Sequence, residues 1–440
     1  MFCENKTKAK GLGCQRKSNL KQPLKKNGMI TNEITKSLPV NKRMVWEAYK
    51  LVKSNRGSAG VDGETIEKFD ENLSKNLYKI WNRMSSGSYF PPSVRTVFIP
   101  KKQGGTRPLG IPTVSDRIAQ TVVKQYLEKS VDAKFHGSSF GYRPGKSAHD
   151  AVKQCEQNCW KYDWVIDLDI KGFFDNLNHE LLLTLVKKHT SEKWVLMYIQ
   201  RWLKAGVEQQ NGSIQARQKG TPQGGSISTL LANIYLHHAF DLWMQEKYPQ
   251  LAFERYADDS VVHCRSKQQA EELLKEIRER LHQFKLELNS EKTRIVYCKD
   301  YRRKEEQENR SFDFLGFTLQ PRLLMAKNRN RFLGYKAGIS QKAKQSIRTT
   351  IKGVIHSGKS CRSIEWYAQC LNAKLRGWIN YYGAFMKQET LNVMQYVNLL
   401  LCKWIKSIYR LSIGQAYYKL HEIQAVSPNL FYHWKLGVKN

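Results

Sequence analysis

The chain has few negatively charged residues, and this property says more about its class of binding partner than any other feature of its composition. Its 440 residues include 39 Asp plus Glu against 73 Lys plus Arg, so the formal net charge is +34. That excess is far beyond the roughly 2–8 charges that keep a small domain soluble, and it favours a polyanionic partner. Nucleic acid is the leading partner and an anionic membrane surface is the weaker one.

Acidic residues are scarcest at the C-terminal end. Residues 321–440 contain 20 Lys and Arg but only three acidic residues, all of them Glu, a net charge of +17. Half of the excess charge therefore lies in about a quarter of the chain, which indicates a second, more basic unit. The length agrees with this division, because 440 residues exceed the size at which a single core keeps growing.

Long apolar runs and a regular cysteine framework are also missing. No run of 18 apolar residues occurs, so we expect no membrane-spanning segment. The nine cysteines are odd in number and scattered, which argues against the disulfides of a secreted protein. Cys155 and Cys159 are one helical turn apart, but no second Cys/His pair with zinc spacing accompanies them. We therefore expect buried thiols in a reducing, cytoplasmic setting.

The first residues are basic and acid-poor. Residues 1–29 lack the apolar core of a secretory signal. A disordered arm that touches phosphates and an organellar transit peptide are both compatible with this composition.

The order of patterned segments predicts an α+β fold. From residue 164 to residue 297 the order is strand, helix, helix, hairpin, helix, strand. This order fits an antiparallel sheet backed by helices on one face. Ser226 or Ser228 is expected to cap the helix before the hairpin, and beyond Tyr335 the pattern is all-helical.

Three aspartates stand at the ends of apolar segments. Asp169 ends a run that starts at Trp164, and Asp258 and Asp259 lie in a turn between two apolar runs. Paired aspartates in a turn are usually turn formers, but on a packed sheet unpaired carboxylates are costly without a cation. Such oxygen ligands suit Mg²⁺, and two ions about 4 Å apart can clamp the oxygens of an in-line phosphoryl displacement. We expect Asp169 to be the metal ligand of its strand and Asp167 to point away.

The same aspartates lie in segments that resemble the palm motifs of reverse transcriptases. These segments are residues 169–175 (DIKGFFD), 221–225 (TPQGG) and 256–259 (YADD). Other segments resemble the branch encoded by group II introns: residues 101–112 (KKQGGTRPLGIP), 140–145 (FGYRPG), 230–236 (LLANIYL) and 375–383 (LRGWINYYG). The resemblance runs from about residue 41 to residue 434.

This resemblance implies a right-hand polymerase in three parts. Residues 1–29 would be the disordered basic arm, and residues 30–335 the fingers and palm, with an antiparallel sheet backed by helices. Residues 336–440 would be an all-helical basic thumb/maturase domain (domain X) with a short basic tail.

The resemblance also implies roles in the palm. Asp169, Asp258 and Asp259 would be the catalytic residues and would hold two Mg²⁺ ions, with the Ile170 carbonyl as a further ligand. Lys292 would donate a proton to pyrophosphate, although a structural or phosphate-neutralising lysine fits its position nearly as well.

Further roles concern the nucleotide and the template. Phe174 would exclude a ribonucleotide 2′-OH, and Phe173 would be a core residue, because neighbours on an extended chain face opposite ways. Gln223 and Gly224 would form the floor beneath the templating base, where only a bare backbone permits close approach. Two cations would meet the incoming triphosphate, Lys101 as a point charge and Arg107 as a planar fork.

In the basic C-terminal unit, cations alternate with aromatic residues. Phosphate attraction and base stacking are both available there, which suits a folded RNA. The expected RNA-binding residues are Lys342, Lys344, Arg348 and Arg376.

The implied protein is the RNA-directed DNA polymerase of a group II intron. It would also assist splicing as a maturase and support retrohoming by target-primed reverse transcription. Its partners would be the intron RNA, an RNA template with a DNA primer, dNTPs and target DNA. No HNH-like or paired-CxxC endonuclease segment occurs, so second-strand cleavage is not expected.

Two alternatives stay open at this point. One is a reverse transcriptase of the same branch recruited to defence or diversity generation, against which the maturase-like thumb argues. The other is an RNA-binding splicing factor without polymerase activity, which the presence of all three aspartates disfavours.

Overall fold

The computed structural model describes residues 37–100, 106–209, 211–303, 305–357 and 363–438. The predicted arm at residues 1–29 and the predicted triphosphate contact Lys101 lie outside the described residues. The helices are α1 (Lys42–Asn55), α2 (Ile66–Glu71), α3 (Leu73–Ser85), α4 (Val114–Val131), α5 (Ala148–Cys159), α6 (Phe173–Asn176), α7 (His179–Lys187), α8 (Lys193–Lys204), α9 (Ser228–Leu236), α10 (Leu242–Lys247), α11 (Lys267–Gln283), α12 (Gln341–Ser357), α13 (Ile364–Tyr382), α14 (Lys387–Tyr409), α15 (Ile413–Val426) and α16 (Tyr432–Lys435). The strands are β1 (Val94–Pro100), β2 (Thr106–Ile111), β3 (Trp164–Leu168), β4 (Val207–Glu208), β5 (Ile214–Gln215), β6 (Phe253–Tyr256), β7 (Asp259–Cys264), β8 (Arg294–Tyr297), β9 (Phe312–Phe314), β10 (Phe317–Met325) and β11 (Arg331–Ile339).

The central sheet has the strand order β6-β7-β3-β8, with every neighbouring pair antiparallel. On one face, Ile166 and Val262 join the large core that includes the buried stripe of α11. On the other face, Val165 and Val261 join a second core that includes α5. The predicted α+β fold is confirmed, but the sheet is covered on both faces rather than one. This explains the nearly continuous apolar run of β3, since a strand buried on both faces does not alternate.

A smaller sheet precedes the central one along the chain. Its order is β2-β1-β4-β5, with β1 antiparallel to β2 and parallel to β4. The buried helix α4 follows β2 directly, and Thr113 caps it by accepting a hydrogen bond from the Asp116 amide. This sheet carries the backbone of the predicted fingers motif, and Arg107 pairs with Ile99 there.

The C-terminal helices form a core of their own. Helices α12 to α16 surround a cluster of buried apolar residues that includes Tyr367, Leu371 and Leu401. The predicted boundary between residues 335 and 336 falls inside β11, and the helices begin at Gln341. Strand β11 continues because it pairs with β10 along its whole length. Among the described helices, none is long and apolar enough to cross a membrane.

Candidate active site and nucleic-acid interface

The three predicted metal aspartates lie at one edge of the central sheet. Strand β3 pairs with β7 so that Leu168 faces Ser260. Asp169 follows Leu168, and Asp259 precedes Ser260 at the start of β7, so the two aspartates are the next residues beyond this last pair. Directly opposed residues in antiparallel strands have Cα atoms about 4.5–5.5 Å apart. The fold therefore brings Asp169 together with the hairpin that carries Asp258 and Asp259.

The hairpin turn between β6 and β7 adopts an unusual backbone. Tyr256 pairs with Asp259, so Ala257 and Asp258 form a two-residue turn. Ala257 has φ +57°, a left-handed conformation that is uncommon outside glycine. The Gly141 backbone packs so closely that a Cβ there would lie 2.4 Å from the Ala257 nitrogen. The turn is thus held from outside by a segment whose glycine has no room for a side chain.

A buried arginine holds the same turn from beneath. Arg255 is fully buried, and its guanidinium donates to the Ala257 carbonyl at 3.0 Å. It also donates to both carboxylate oxygens of Asp241, at 2.7 and 2.6 Å. Further bonds reach Asn233 at 3.0 Å and Ser139 at 2.8 Å. Sequence reasoning missed this network, whose only signal was a charged residue directly before the turn.

The network is electrostatically matched. Burial alone would raise the pKa of Asp241, but the Arg255 guanidinium beside it holds that pKa below its ordinary value. A bidentate Arg–carboxylate pair is also the strongest kind of ionic hydrogen bond. Arg255 therefore carries a paired charge, and its remaining donors are available to fix the turn.

The carboxylates at the sheet edge repel one another. Desolvation, together with the charges of Asp258, Asp169 and Asp167, raises the pKa of Asp259 to about 7. Because the side chain of Asp259 is exposed to solvent, the repulsion by these charges is the more important cause. A bound cation would remove the repulsive part of this shift.

Asp167 lies in β3, Asp169 directly follows that strand, and the charge of Asp169 acts on Asp167; the argument that alternation sends the two side chains to opposite faces was wrong. Residues two apart in a strand share a face. Burial raises the pKa of Asp167 to about 6, although the Arg294 guanidinium acts in the opposite direction and lowers it. Arg294 reaches Asp167 at 3.4 Å.

Asp169 contacts residues that lie just before β8. Lys292 approaches its carboxylate at 3.5 Å, and the Asp169 amide donates to Thr293 Oγ1 at 3.4 Å. The next residue, Ile170, forms an isolated antiparallel bridge with Leu288. Lys292 is about half exposed, at 52%, so its ammonium can still reach a ligand.

The two phenylalanines after Asp169 lie on a helical turn. Phe173 and Phe174 begin the short helix α6, so the premise that they lie on an extended chain was wrong. Phe173 is a core residue, 2% exposed, and Phe174 is 8% exposed. The Phe174 carbonyl accepts a hydrogen bond from the Thr221 amide, which ties α6 to the glycine-proline loop.

That loop contacts the smaller sheet. The Gly110 amide donates to the Gln223 carbonyl at 3.1 Å, and the Gln223 side chain donates to the Asp175 carboxylate at 3.3 Å. Gly224 has φ +134°, and a Cβ there would lie 2.4 Å from the Gly110 carbonyl oxygen. The glycine is thus already required by the protein backbone, a reason that the sequence did not reveal.

The predicted serine caps of α9 were also wrong. The helix begins with Ile227 as its N-cap and has no side-chain cap bond. Ser228 is engaged with Thr221 instead, at 2.8 Å.

A cleft of about 930 Å³ opens between the smaller sheet and this loop. Its lining includes Gln223, Asp175 and the cations Arg217 and Lys219. Arg217 has a buried guanidinium nitrogen that lacks a hydrogen-bond partner among the described residues. Sequence reasoning missed Arg217, which offers a donor to an anion entering the cleft.

The four predicted RNA-binding cations are not equivalent. Lys342, Arg348 and Arg376 are exposed on α12 and α13. Lys344 is only 15% exposed and pairs with Glu389 at 2.5 Å, which joins α12 to α14. Lys344 is therefore a structural cation first.

Taken together, a palm-type antiparallel sheet with carboxylates at one edge, a finger-like sheet across a cleft and a basic helical unit define a right-hand nucleotide polymerase. Comparison with known families makes this class specific. Residues 99–319 match the model for reverse transcriptase (RNA-dependent DNA polymerase), which is about half of the chain. Residues 344–419 match the group II intron, maturase-specific domain.

Individual relatives agree. The chain is 32% identical over 294 residues to protein YkfC of Escherichia coli, covering 58% of this chain and 77% of that protein. It is 34% identical over 252 residues to the group II intron-encoded protein LtrA of Lactococcus lactis, covering 57% of this chain but 40% of LtrA. A putative COX1/OXI3 intron 1 protein of Saccharomyces cerevisiae is 30% identical over 210 residues, covering 48% of this chain and 25% of that protein. The chain belongs to the reverse transcriptase family, in its group II intron maturase branch. Membership implies nucleic-acid substrates and catalysis that depends on divalent metal ions.

Proposed function

We propose that the protein copies RNA into DNA with two Mg²⁺ ions held by Asp169, Asp258 and Asp259. The observation that carries this proposal is the pairing of Leu168 with Ser260, which leaves Asp169 and Asp259 as neighbours just beyond the last pair of β3 and β7. The donor set fits the ions, since clustered carboxylates are hard oxygen ligands. Desolvation and the repulsion between these carboxylates raise the pKa of Asp259 to about 7. When bound, the ions would activate the primer 3′-oxygen and neutralise charge on the leaving pyrophosphate.

The chain's own residues would align the substrates. Arg255 would keep the turn in the conformation that points Asp258 and Asp259 at the nucleotide, because it bonds the Ala257 carbonyl. Lys292, beside Asp169 at 3.5 Å, would neutralise or protonate the departing pyrophosphate. Arg107 and Arg217 would meet the phosphates of the nucleotide and template. Such positioning accounts for much of the rate in phosphoryl transfer, where the protein supplies no nucleophile.

The base pair would lie against the glycine-proline loop. Gln223 lines the cleft between that loop and the smaller sheet, and Gly224 is the next residue of the loop. Phe174 would limit space at the sugar 2′ position and so favour dNTPs. The Ile170 carbonyl would complete the ion shell beside Asp169.

The basic helical unit would bind the intron RNA as a maturase. Lys342, Arg348 and Arg376 are exposed there and can neutralise phosphates. By this proposal the intron ribonucleoprotein inserts into target DNA, and the protein copies the inserted RNA from the nicked DNA primer. The location would be cytoplasmic, which is supported by the free thiols of the six described cysteines.

Primer extension on an RNA template tests the polymerase. Wild-type protein should extend a DNA primer with Mg²⁺ and dNTPs, and the double variant Asp258→Ala/Asp259→Ala should not. Asp62→Ala, an exposed aspartate in a turn, serves as the matched control and should extend normally. Extension by the folded double variant would refute the proposed site.

The same double variant separates the two functions. It should still bind a structured group II intron RNA and assist its splicing, because the substitutions lie outside the C-terminal helices. A wild-type protein that binds the RNA but extends no primer would favour the splicing factor without polymerase activity.

A further inference from the structure

A buried carboxylate that the proposed chemistry does not use lies in the first turn of α4. Asp116 is 1% exposed. Its Oδ1 accepts hydrogen bonds from the Tyr89 hydroxyl at 3.0 Å and from the Trp202 indole at 2.7 Å. Its Oδ2 accepts from the Gln120 side-chain amide at 2.9 Å. The carboxylate thus joins α4 to α8 and to the segment before β1.

Gln120 extends this network to the glycine-proline loop (residues 219–225). Its side chain is 2% exposed, and its Oε1 accepts from the Ile227 backbone amide at 3.4 Å. A Cβ on Gly225 would lie 3.0 Å from the same oxygen, so the loop backbone approaches it closely. Gln120 therefore contacts the end of the loop that carries Gln223.

This contact also serves the helix that follows the loop. The first amides of a helix lack acceptors within the helix, and Ile227 is the N-cap of α9, which has no side-chain cap bond of its own. Gln120 supplies an acceptor there from the neighbouring helix α4. On its other side the loop is held by the smaller sheet, where the Gly110 amide donates to the Gln223 carbonyl.

Only one orientation of the Gln120 amide satisfies both of its contacts. An ionised carboxylate can only accept, so it takes the NH2 group, and a backbone N–H can only donate, so it takes the oxygen. Burial raises the pKa of Asp116 to about 6, so this carboxylate is ionised at neutral pH. Turning the amide over would set oxygen against oxygen at Asp116 and donor against donor at Ile227. Asp116 thus determines which atom Gln120 presents to the loop.

We propose that Asp116 and Gln120 are positioning residues for the base pair in the active site. Asp116 orients the Gln120 amide, and Gln120 holds the loop against which that base pair would lie. This inference rests on the proposed function, because the loop selects nucleotides only if the polymerase uses it as a floor. Neither side chain needs to touch the substrate, since a displacement of about 1 Å caused by a change far from the chemistry can cost a hundredfold in rate.

The competing interpretation is a buried polar network that only stabilises the fold. In that case every hydrogen bond to Asp116 is equivalent, and losing any one of them has the same effect. The proposal instead separates the two carboxylate oxygens. The bonds from Tyr89 and Trp202 reach Oδ1, whereas only the bond at Oδ2 sets the orientation of Gln120.

Three variants separate the interpretations. Asp116→Asn has a single oxygen, which Tyr89 and Trp202 require, so its NH2 group faces Gln120, whose amide must turn over and lose Ile227. Adding Gln120→Glu to that variant restores both bonds, because a carboxylate has an oxygen for each neighbour. Tyr89→Phe is the matched control, since it removes one bond to the same carboxylate and leaves Gln120 in place.

Two measurements on full-length protein test the proposal. The first is hydrogen exchange of the backbone amides of residues 223–230, and the second is steady-state primer extension. Asp116→Asn should speed exchange there and raise the KM for dNTP about 3–10-fold, the range that one lost hydrogen bond corresponds to, with kcat little changed. The double variant should return both values to within about twofold of wild type, and Tyr89→Phe should change neither.

An Asp116→Asn defect that the double variant does not restore would overturn the proposal. An equal defect in Tyr89→Phe would overturn it too, and would leave the network a purely stabilising role. If Asp116→Asn does not fold, Gln120→Met, which keeps the side-chain length but removes Oε1, should give the same rise in exchange and in KM. Wild-type protein that extends no primer would refute the proposed function instead, and the exchange measurement would still decide whether Asp116 orients Gln120.

Discussion

The two ends of the β6–β7 hairpin differ in almost every physical respect. The aspartates stand at the open edge of the sheet, with hard oxygen ligands and repelling charges. At the other end, Glu254 and His263 lie in the closed interior with no exposure, beside Cys155. Asp259 and His263 occupy the same face of β7, four residues apart, which is about 13 Å at 3.3 Å per residue.

The difference shows which kind of site each end of the hairpin can support. An open carboxylate edge can exchange ions and substrates, which a catalytic site needs, whereas at the buried end each polar group needs a partner inside the protein, as His263 has in Glu254. Arg255 lies between these two ends along β6 and faces the opposite core. The stability of the hairpin, the pH response of its edge and the binding of RNA can each be used to test this contrast.

The largest effect is expected from the arginine that supports the turn. Arg255→Gln should lower the free energy of unfolding by about 3–5 kcal/mol, because it leaves the buried Asp241 charge unpaired. Urea unfolding measures the change. Arg294→Gln is the matched control, since the Arg294 side chain is 45% exposed and its 3.4 Å contact with Asp167 is expected to contribute about 1 kcal/mol or less. Equal losses in the two variants would mean that the network does not support the hairpin.

The pH response should report the charge repulsion at the open edge. The pKa of Asp259 is raised to about 7, so the folded protein holds a proton there below that pH, and the proton competes with a cation. The apparent Mg²⁺ affinity in primer extension should therefore fall up to tenfold per unit below about pH 7 and level off above it. Mg²⁺ titrations one unit either side of that value check this. An affinity that does not change with pH would contradict the charge repulsion at the edge.

The smallest effect is expected from single cations on α12. Lys342→Ala should weaken binding of intron RNA a few-fold and reduce the slope of log affinity against log salt by about 0.7–0.9. Lys344→Ala should instead loosen α12 from α14, since Lys344 is already paired with Glu389. Filter binding over a range of salt concentrations distinguishes the two. The same slope change in both variants would show that Lys344 contacts phosphate.

Much of this fold and site was predictable from local patterns. Apolar runs and the amphipathic stripe of α11 indicated the central sheet and its helix, because burial on one face leaves a period in the sequence. The meeting of Asp169 with the hairpin followed from motif order and resemblance. The role of Arg255 in holding the hairpin turn was not predictable. Its partners Asn233 and Ser139 are distant in the chain, and the sequence around Arg255 does not indicate them.

The buried end of the hairpin shows the same limit. Cys155 and Cys159 were interpreted as ordinary buried thiols because no second pair with zinc spacing occurs in sequence. His263, which lies beside Cys155, is more than 100 residues further along the chain. Gly224 is similar, since its need for a bare backbone comes from Gly110 in the smaller sheet, more than 100 residues earlier in the chain.

The most direct test of the central claim compares Asp167, in β3, with Asp169, which directly follows that strand. Asp169→Asn should reduce primer extension about a thousandfold or more, since an ion ligand contributes several kcal/mol and each 1.36 kcal/mol is tenfold. Asp167→Asn, two residues earlier, should stay within about tenfold of wild type. Folded Asp169→Asn protein that extends primers at the wild-type rate would contradict the account, and a loss confined to Asp167→Asn would move the ion ligand to that residue.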